Sequence, residues 1–282
     1  MLSIKKSKLI AAASAALVLI LTACVVPRFT SAFAANYSTC ARSAIVVERA
    51  TGRVLYEKNA DEKLPIASTT KIITAITVIE NYPDGLETEV TVPDEAVGVE
   101  GSSIYLAKGE KLRVIDLLYG LMLQSGNDCA VALACLTSGS VTDFAHLMNT
   151  VADRAGAMNS HFANPHGLQD DEHYSTARDM AAISAYAMKN ETFRKIVSTE
   201  NYYDCPFADR DYNRVIHNKN KMLTMLEGGN GIKTGYTKAA GRCLVSSAAR
   251  GDKEVVCVVL SCGPMFEESC ALINAAFEEL GN

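Results

Sequence analysis

The chain has no tryptophan, no run of lysine or arginine in its body, and no internal repeat or low-complexity linker after residue 36. Its 27 Lys and Arg residues are nearly balanced by 32 Asp and Glu residues, which gives a net charge of −5. Nucleic-acid binding needs a basic surface, so this balance argues against a nucleic-acid partner. With 282 residues, 49% of them hydrophobic, the chain can build one large core or a main domain with a small lobe.

A C-x-x-C spacing is also absent, so a zinc or redox framework of cysteines has no support in the sequence. Eight of the nine cysteines follow residue 34, and they are Cys40, Cys129, Cys135, Cys205, Cys243, Cys257, Cys262 and Cys270. An even number permits disulfides in an exported protein. The spacing favours no particular pairing, since Cys129 and Cys135, for example, fall on different faces of a predicted helix.

The first 35 residues differ from the rest and predict an export signal. Three lysines within the first eight residues precede an uncharged apolar stretch at 9–26. Small residues around Ala34 then form an A-x-A-like cleavage site. The apolar stretch is at the short limit for a permanent transmembrane anchor, so cleavage after Ala34 is favoured.

Leu21-Thr22-Ala23-Cys24 offers an alternative, because it resembles a bacterial lipobox whose cysteine becomes lipidated. Val25 and Val26 continue the apolar run where a polar tether is expected, which favours ordinary cleavage. Membrane attachment would come through a lipid on Cys24 or through an uncleaved signal. With each alternative the protein is exported and works outside the cytoplasm, secreted or attached to the membrane.

Strand patterns lie at both ends of the remaining chain and helical patterns in the middle, without a βαβ rhythm. This arrangement predicts an α+β fold in which an antiparallel sheet built from both ends carries helices. The predicted strands lie in a hairpin at 43–57, in a strand that begins at 231–233, and in a hairpin at 241–248 and 254–261. The predicted helices are 68–82, 114–136 with a break at 125–127, 142–155, 177–189 and 266–280.

Three short motifs carry the chemistry, and the first is Ser68-Thr69-Thr70-Lys71. Residues i and i+3 of a helix share a face, so Lys71 lies one turn from the Ser68 hydroxyl. A serine becomes a good nucleophile when a base removes its proton, and a lysine amine made neutral by burial or by a nearby cation serves as that base. Taken alone, the pattern more often marks a helix start with a solvated lysine.

The other two motifs are Ser125-Gly126-Asn127, 57 residues later, and Lys233-Thr234-Gly235, a further 108 residues on. The first interrupts an apolar segment, where Ser125 would relay a proton and Asn127 would hold a substrate amide. In the second, Lys233 would project into a cleft and Gly235 would let a substrate backbone approach closely. Taken singly, they more often mark a turn between helices and an exposed strand end, but their joint order and spacing do not arise readily by chance.

Together with these motifs, further segments make the chain resemble the low-molecular-mass penicillin-binding proteins, the serine-type D-Ala-D-Ala carboxypeptidases. The segments that carry the resemblance are Pro65-Ile66-Ala67-Ser68-Thr69-Thr70-Lys71-Ile72, Gly101-Ser102-Ser103-Ile104-Tyr105-Leu106, residues 117–134, Asn164-Pro165-His166-Gly167-Leu168, His173-Tyr174-Ser175-Thr176-Ala177 and Gly231-Ile232-Lys233-Thr234-Gly235-Tyr236-Thr237. The resemblance spans roughly residues 42–280. It implies a β-lactamase/transpeptidase-like fold with a five-stranded antiparallel sheet packed against a helical cluster.

The resemblance also implies a two-step acyl transfer on peptidoglycan stem peptides, without a metal or cofactor. Ser68 would attack the carbonyl between the two terminal D-alanines, with Lys71 as general base. Backbone N–H groups of Ser68 and Tyr236 would form the oxyanion hole, and Ser125 with Lys233 would protonate the leaving D-alanine.

Binding of the substrate, on the same resemblance, falls to the last motif and its neighbours. These residues are Thr234, Gly235, Tyr236 and Thr237, of which the two threonines would hold the terminal carboxylate and the backbone. β-Lactam antibiotics are implied as covalent inhibitors, because penicillin mimics the dipeptide and acylates the serine.

Two departures from the family pattern affect these expectations. Many relatives carry an arginine before the last helix that helps to bind the terminal carboxylate, but residues 262–268 contain none and Met265 falls near its place. This makes D,D-endopeptidase action or weak activity more plausible. Relatives often continue into a small β domain, whereas here we expect residues 36–282 to form the catalytic domain alone.

Other functional classes fit the sequence less well. A class A β-lactamase would need a Glu-x-x-Leu-Asn segment between the second and third motifs, and none is present. A metal-dependent D,D-peptidase would need clustered ligands, but His161, His166 and His173 lack a helical H-x-x-x-H spacing and are expected to be structural or surface residues. A non-catalytic module that binds peptidoglycan or β-lactams remains the alternative from a different class. Turnover of a D-Ala-D-Ala peptide distinguishes it from an enzyme.

Overall fold

The structure is a computed structural model that describes residues 37–207 and 210–281. Contacts divide the chain into residues 1–30 and 31–282, and all described residues belong to the second unit. The predicted export signal, with Cys24 and the site at Ala34, lies outside the described residues.

The predicted five-stranded antiparallel sheet is present. The described residues contain the strands β1 Ser43–Glu48, β2 Val54–Lys58, β3 Glu89–Thr91, β4 Lys111–Arg113, β5 Asn201–Cys205, β6 Arg214–His217, β7 Gly229–Thr237, β8 Gly241–Arg250 and β9 Lys253–Leu260. The main sheet has the order β2-β1-β9-β8-β7, so the two ends of the chain meet where β1 pairs with β9. Strand β7, which carries Lys233, is therefore an edge strand.

Helices cover both faces of this sheet. The α-helices of the described residues are α1 Lys71–Asn81, α2 Val114–Leu123, α3 Asn127–Ser138, α4 Val141–Arg154, α5 Ala177–Ala187, α6 Glu191–Ser198, α7 Met222–Met225 and α8 Met265–Leu280, with short 3-10 turns at Ala67–Thr70 and Asp94–Ala96. The predicted helices agree with these bounds to within two or three residues. The predicted break in 114–136 is also correct, because residues 124–126 separate α2 from α3.

The buried hydrophobic residues form two clusters, one on each face of the main sheet, and successive residues of a strand alternate between them. On β9, Val256 and Val258 face the larger cluster with α1 to α6, whereas Val255 and Val259 face the smaller cluster under α8. This is the period-2 pattern of a sheet that is buried on both faces. We call these the front and back faces of the sheet.

Some elements could not be recognised from the sequence. Strands β3 to β6 have three to five residues each and form two small ribbons outside the main sheet. Each is too short to show a clear alternation of apolar residues, so the sequence pattern reveals neither the strands nor their pairing.

All eight cysteines of the described residues are free thiols. The sulfurs of Cys40 and Cys262 lie 3.6 Å apart, in contact but longer than a disulfide bond. Cys129, Cys205, Cys243 and Cys257 are buried within the core, where cysteine behaves as a small hydrophobic residue.

Within the described ranges, no helix is both long and apolar enough to cross a membrane by itself. Helices α3 and α4 reach the required length and composition only as a pair, across a bend of 86°.

We expect Phe277→Ala to destabilise the protein by about 3–5 kcal/mol, because it leaves a cavity under α8. Phe277 is fully buried in the back cluster, and α8 packs against β8 and β9. Urea unfolding measures this change. Glu278→Ala, at the next and exposed position, is the matched control and should change stability by less than about 0.5 kcal/mol. Equal effects of the two variants would contradict the assigned packing of α8.

Candidate active site

Ser68 lies in a tight turn that leads directly into helix α1. The turn begins at Ala67, whose φ of 49° is in the left-handed region that a residue with a Cβ rarely adopts. Two hydroxyls hold the turn, since Thr69 Oγ1 donates to Ile66 O at 2.7 Å and Thr70 Oγ1 donates to Ala67 O at 2.9 Å. The turn is therefore fixed by its own side chains, with Ser68 only partly buried. We call Ala67–Thr70 the nucleophile turn, after the predicted role of Ser68.

Lys71 lies in the first turn of α1 with its amine against three oxygen atoms. Its Nζ is 3.0 Å from Ser68 Oγ, 2.7 Å from Asn127 Oδ1 and 2.7 Å from the backbone oxygen of His166. The residue is fully buried. Burial, and next the nearby charge of Lys233, hold the pKa of the Lys71 amine well below its usual range. The neutral amine is therefore favoured beside the serine.

Asn127, the first residue of α3, is aimed at Lys71 by the loop that precedes β4. Its Nδ2 donates to the Glu100 carbonyl at 2.6 Å, and its backbone N–H donates to the Ser102 carbonyl at 2.7 Å. A Cβ on residue 101 would come within 2.6 Å of Asn127 Nδ2, so a glycine is needed there. Ser125 lies in the break between α2 and α3 with a φ of 63° and is almost fully buried.

Asp128, which the sequence analysis did not single out, ties the same loop to helix α3. Its carboxylate accepts hydrogen bonds from Ser103 Oγ at 2.6 Å and from the backbone N–H groups of Ile104 and Leu106 at 3.1 Å each. A buried carboxylate needs such donors. The signal available in the sequence was its position directly after Asn127 in an apolar segment.

Strand β7 brings the third motif close to the turn that carries Ser68, the predicted nucleophile. Lys233 is buried, and burial, followed by the charge of Lys219, lowers the pKa of its amine to about 7. A Cβ on Gly235 would lie 3.0 Å from the backbone nitrogens of Ser68 and Thr69, so the strand packs tightly on the nucleophile turn. Lys233 Nζ donates a hydrogen bond to the backbone carbonyl of Thr234 at 3.0 Å.

The remaining predicted substrate-binding residues lie at the open end of β7. Tyr236 is 65% exposed. The hydroxyl of Thr237 accepts the backbone N–H of Ala240 at 3.0 Å, so this side chain holds the hairpin turn and keeps its own proton to donate. Met265 is buried in the back cluster at the start of α8.

Two histidines support the nucleophile turn. His173 Nδ1 accepts the backbone N–H of Ala163, so its Nε2 carries the proton and donates to Thr70 Oγ1 at 2.8 Å. Burial lowers the pKa of His173 to about 4, and burial with the charge of Lys71 does the same for His166. Both rings are therefore neutral at physiological pH.

The turn at Gly167 completes this support. With φ 85°, Gly167 lies so close to the nucleophile turn that a Cβ would come within 2.0 Å of the Ala67 carbonyl oxygen. The sequence identified the segment but not these contacts, because a backbone carbonyl such as that of His166 has no side-chain signature. In the described parts of the chain, no three His, Cys, Asp or Glu side chains lie together as metal ligands.

Comparison with known proteins finds D-alanyl-D-alanine carboxypeptidases among the similar sequences. A family model described as D-alanyl-D-alanine carboxypeptidase matches residues 30–263. The chain is 38% identical to the D-alanyl-D-alanine carboxypeptidase DacF of Bacillus subtilis over 78% of this chain, and it spans only 57% of that relative's length. It is 39% identical to a D-alanyl-D-alanine carboxypeptidase of Streptomyces sp., over 75% of this chain and 77% of that one.

Solved structures show the same likeness. A Streptomyces K15 DD-transpeptidase, solved as its S96A mutant, superposes with a TM-score of 0.81 at 34% identity, over 86% of this chain and 99% of that one. The carboxypeptidase DacD of Francisella tularensis superposes with a TM-score of 0.79 at 29% identity, over 86% and 72% of the two chains. The predicted β-lactamase/transpeptidase-like fold is thereby confirmed.

We expect His173→Gln to flatten the pH dependence of stability between about pH 4 and 6.5. The His173 pKa falls from 6.5 to about 4 on folding, so in this range the unfolded ring binds a proton that the folded ring does not. Stability from this residue is complete above pH 6.5 and is lost as the pH falls toward 4, with a slope of at most about 1.4 kcal/mol per pH unit.

Urea unfolding at several pH values measures that slope. His166 contributes a similar slope of its own, which remains in the variant. His146→Gln, at an exposed position of α4, is the matched control. An unchanged slope in His173→Gln would contradict a neutral, buried ring.

Proposed function

This chain belongs to the D-alanyl-D-alanine carboxypeptidase family, and we propose on that premise that it cleaves the terminal D-Ala-D-Ala bond of peptidoglycan stem peptides through an acyl-enzyme on Ser68. The observation that carries the proposal is the 3.0 Å contact between Ser68 Oγ and the Nζ of Lys71, a fully buried residue. No metal or cofactor takes part in the proposed steps.

The surroundings of Lys71 give the direction of the first proton transfer. A neutral lysine amine has two N–H donors and one lone pair. The carbonyl oxygens of Asn127 and His166, each 2.7 Å away, accept the two donors. The lone pair is then left for the hydroxyl proton of Ser68, which makes Lys71 the general base.

Attack by Ser68 Oγ on the carbonyl between the two D-alanines forms a tetrahedral intermediate with a negatively charged oxygen. The backbone N–H groups of Ser68 and Tyr236 are proposed to stabilise this oxygen. The close approach of Gly235 to the Ser68 backbone supports the assignment, because it brings β7 beside the nucleophile turn.

Collapse of the intermediate breaks the C–N bond, and the amine of the leaving D-alanine takes up a proton. We assign this donation to Lys233 through the Ser125 hydroxyl, since a group whose pKa is about 7 is suited to proton transfer near neutral pH. Asn127 holds the substrate amide, and Thr234 and Thr237 hold the substrate's carboxylate end. Lys71 passes its proton to Lys233 through Ser125 and becomes neutral again. It then takes a proton from the water that attacks the Ser68 ester and returns it to Ser68 Oγ, which releases the shortened stem and restores the serine.

An amine in place of water would give transpeptidation, and the K15 neighbours are described as a DD-transpeptidase. In endopeptidase action, the outcome suggested by Met265, the leaving group would be a cross-linked peptide chain and not a free terminal D-alanine. If the protein were instead a weakly active β-lactam-binding protein, Ser68 would be acylated but no product would be released. Product analysis by mass spectrometry separates these outcomes.

We further propose that the protein acts on the outer side of the cytoplasmic membrane, where peptidoglycan lies. The sequence of residues 1–35 supports export, by cleavage near Ala34 or by lipidation of Cys24. Secretion, attachment through a lipid on Cys24 and attachment through an uncleaved signal leave the mature protein with different N-termini. The mass of the mature protein distinguishes them.

Benzylpenicillin and a diacetyl-Lys-D-Ala-D-Ala peptide test the acyl-enzyme mechanism. The protein should gain a stable penicilloyl adduct in intact-mass measurements and should release D-alanine from the peptide, whereas Ser68→Ala should do neither. Lys71→Met should slow acylation about 10²- to 10⁴-fold, because the general base is lost. Lys221→Met, which removes an exposed lysine, is the matched control and should keep the wild-type rate. A penicilloyl adduct on Ser68→Ala would refute the assignment of the nucleophile.

The pH profile of kcat/KM should show an alkaline limb near pH 7, where Lys233 loses its proton and can no longer donate it. Lys233→Arg keeps its charge at every accessible pH, so the limb should move to higher pH even if the rate is lower. A limb at the same pH in the variant would show that another group controls it.

A further inference from the structure

Arg242, on β8, is an exposed arginine without an ionic partner. Its guanidinium makes no side-chain hydrogen bond or ion pair within residues 37–207 and 210–281. Most other arginines of the described residues pair with carboxylates, namely Arg42, Arg49, Arg53, Arg113, Arg154, Arg178 and Arg214. The guanidinium of Arg242 is therefore free to bind a ligand.

The register of the sheet places Arg242 beside the third motif. Arg242 lies opposite Tyr236, and the next pair on the same face is Thr234 opposite Leu244. Diagonal neighbours on one face of an antiparallel pair are about 7–8 Å apart, within reach of a long side chain. Since β7 is the edge strand and adjacent strands lie about 4.8 Å apart, the arginine side chain can extend across β7 to the cleft edge.

This corner of the sheet is also where α8 begins. The backbone N–H of Cys262 donates to the Arg242 carbonyl at 2.8 Å, and Met265 starts the helix three residues later. Leu244 and Met265 share the back cluster, so Arg242 lies at its open rim. The 262–268 segment contributes Glu267 and Glu268 but no cation. Lys221 lies over the Phe266 ring, with its Nζ 5.8 Å from the ring centroid, so Arg242 is the arginine and Lys221 the lysine near this corner.

The proposed substrate ends in a carboxylate, and so does the bicyclic nucleus of penicillin. The buried lysines of the site do not supply a permanent positive charge, because burial lowers the pKa of both Lys71 and Lys233. Arginine stays charged at every accessible pH and matches a carboxylate with two parallel hydrogen bonds.

We propose that Arg242 is a specificity-determining residue that binds the free carboxylate of the substrate's terminal D-alanine, together with the hydroxyl of Thr234. The assignment rests on the proposed carboxypeptidase function. It makes the enzyme select a chain end over an internal peptide bond, without a basic residue at position 265.

The test compares substrates that differ only in this charge. Wild type, Arg242→Gln and Arg242→Lys are assayed with diacetyl-Lys-D-Ala-D-Ala and with the same peptide as its C-terminal amide. Arg242→Gln should lower kcat/KM for the acid about ten- to a hundredfold and change it little for the amide, because a charge-assisted hydrogen bond is lost. Arg242→Lys should fall between wild type and Arg242→Gln on the acid.

Lys238→Gln is the matched control, since it removes one positive charge from the exposed turn of the same hairpin. It should stay within about twofold of wild type on both peptides if short-range contact and not the general field matters. Acylation by benzylpenicillin and by its methyl ester, followed by intact mass, gives the same comparison without requiring turnover of the amide.

Each outcome decides between explanations. Equal losses on acid and amide, or on penicillin and its ester, would assign Arg242 a structural role and overturn the inference. Wild-type rates for Arg242→Gln on the acid, in a protein that cleaves it and is acylated by penicillin, would overturn this inference alone. A wild-type protein that is neither acylated nor active would refute the proposed function, and the role of Arg242 with it.

Discussion

The amine of Lys71 is fully buried, and the surrounding structure must keep it neutral and provide hydrogen-bond acceptors for it. A charged ammonium without water is strongly disfavoured, so the interior lowers its pKa and favours the neutral form. A neutral amine still needs acceptors for its two N–H groups. They come from distant parts of the chain, the first residue of α3 and the turn at 164–168. The lysine therefore requires tertiary contacts that at the same time assemble the site.

Around this contact the backbone adopts conformations that are locally unfavourable. Ala67 and Ser125 both have positive φ values without being glycines. Such conformations cost about 1–3 kcal/mol each and persist only where neighbours hold them. At Ala67 the holding groups are Thr70, which donates to its carbonyl, and His173, which donates to Thr70 in turn. The geometry of the turn that carries Ser68 thus depends on a buried neutral histidine, which lies 103 residues after Thr70 in the chain.

The part of the main sheet that forms the candidate active site is its edge strand, β7. Because β7 is the last strand, one side pairs with β8 while the other lies against the nucleophile turn, and Gly235 allows the close approach. In the proposed complex, a peptide substrate that extends along this edge would meet Lys233 on the front side and Thr234 on the back side. Arg242 would reach the same edge from the neighbouring strand. Reaction and recognition of the chain end would then take place on the two faces of a single strand.

The sequence by itself determined the α+β class, the long helices and the three motifs, because periodicity and i,i+3 spacing are local properties of the chain. The contact between Ser68 and Lys71 was predictable for this reason. Only the tertiary structure decided that the His166 carbonyl faces Lys71, that Asp128 anchors the 103–106 loop, and that Arg242 shares a sheet face with Thr234. Backbone acceptors carry no residue-type signal, and strand register depends on pairing between distant segments. The short strands β3 to β6 and the free state of the cysteines were left open by the sequence for the same reason, since both depend on which distant segments come together.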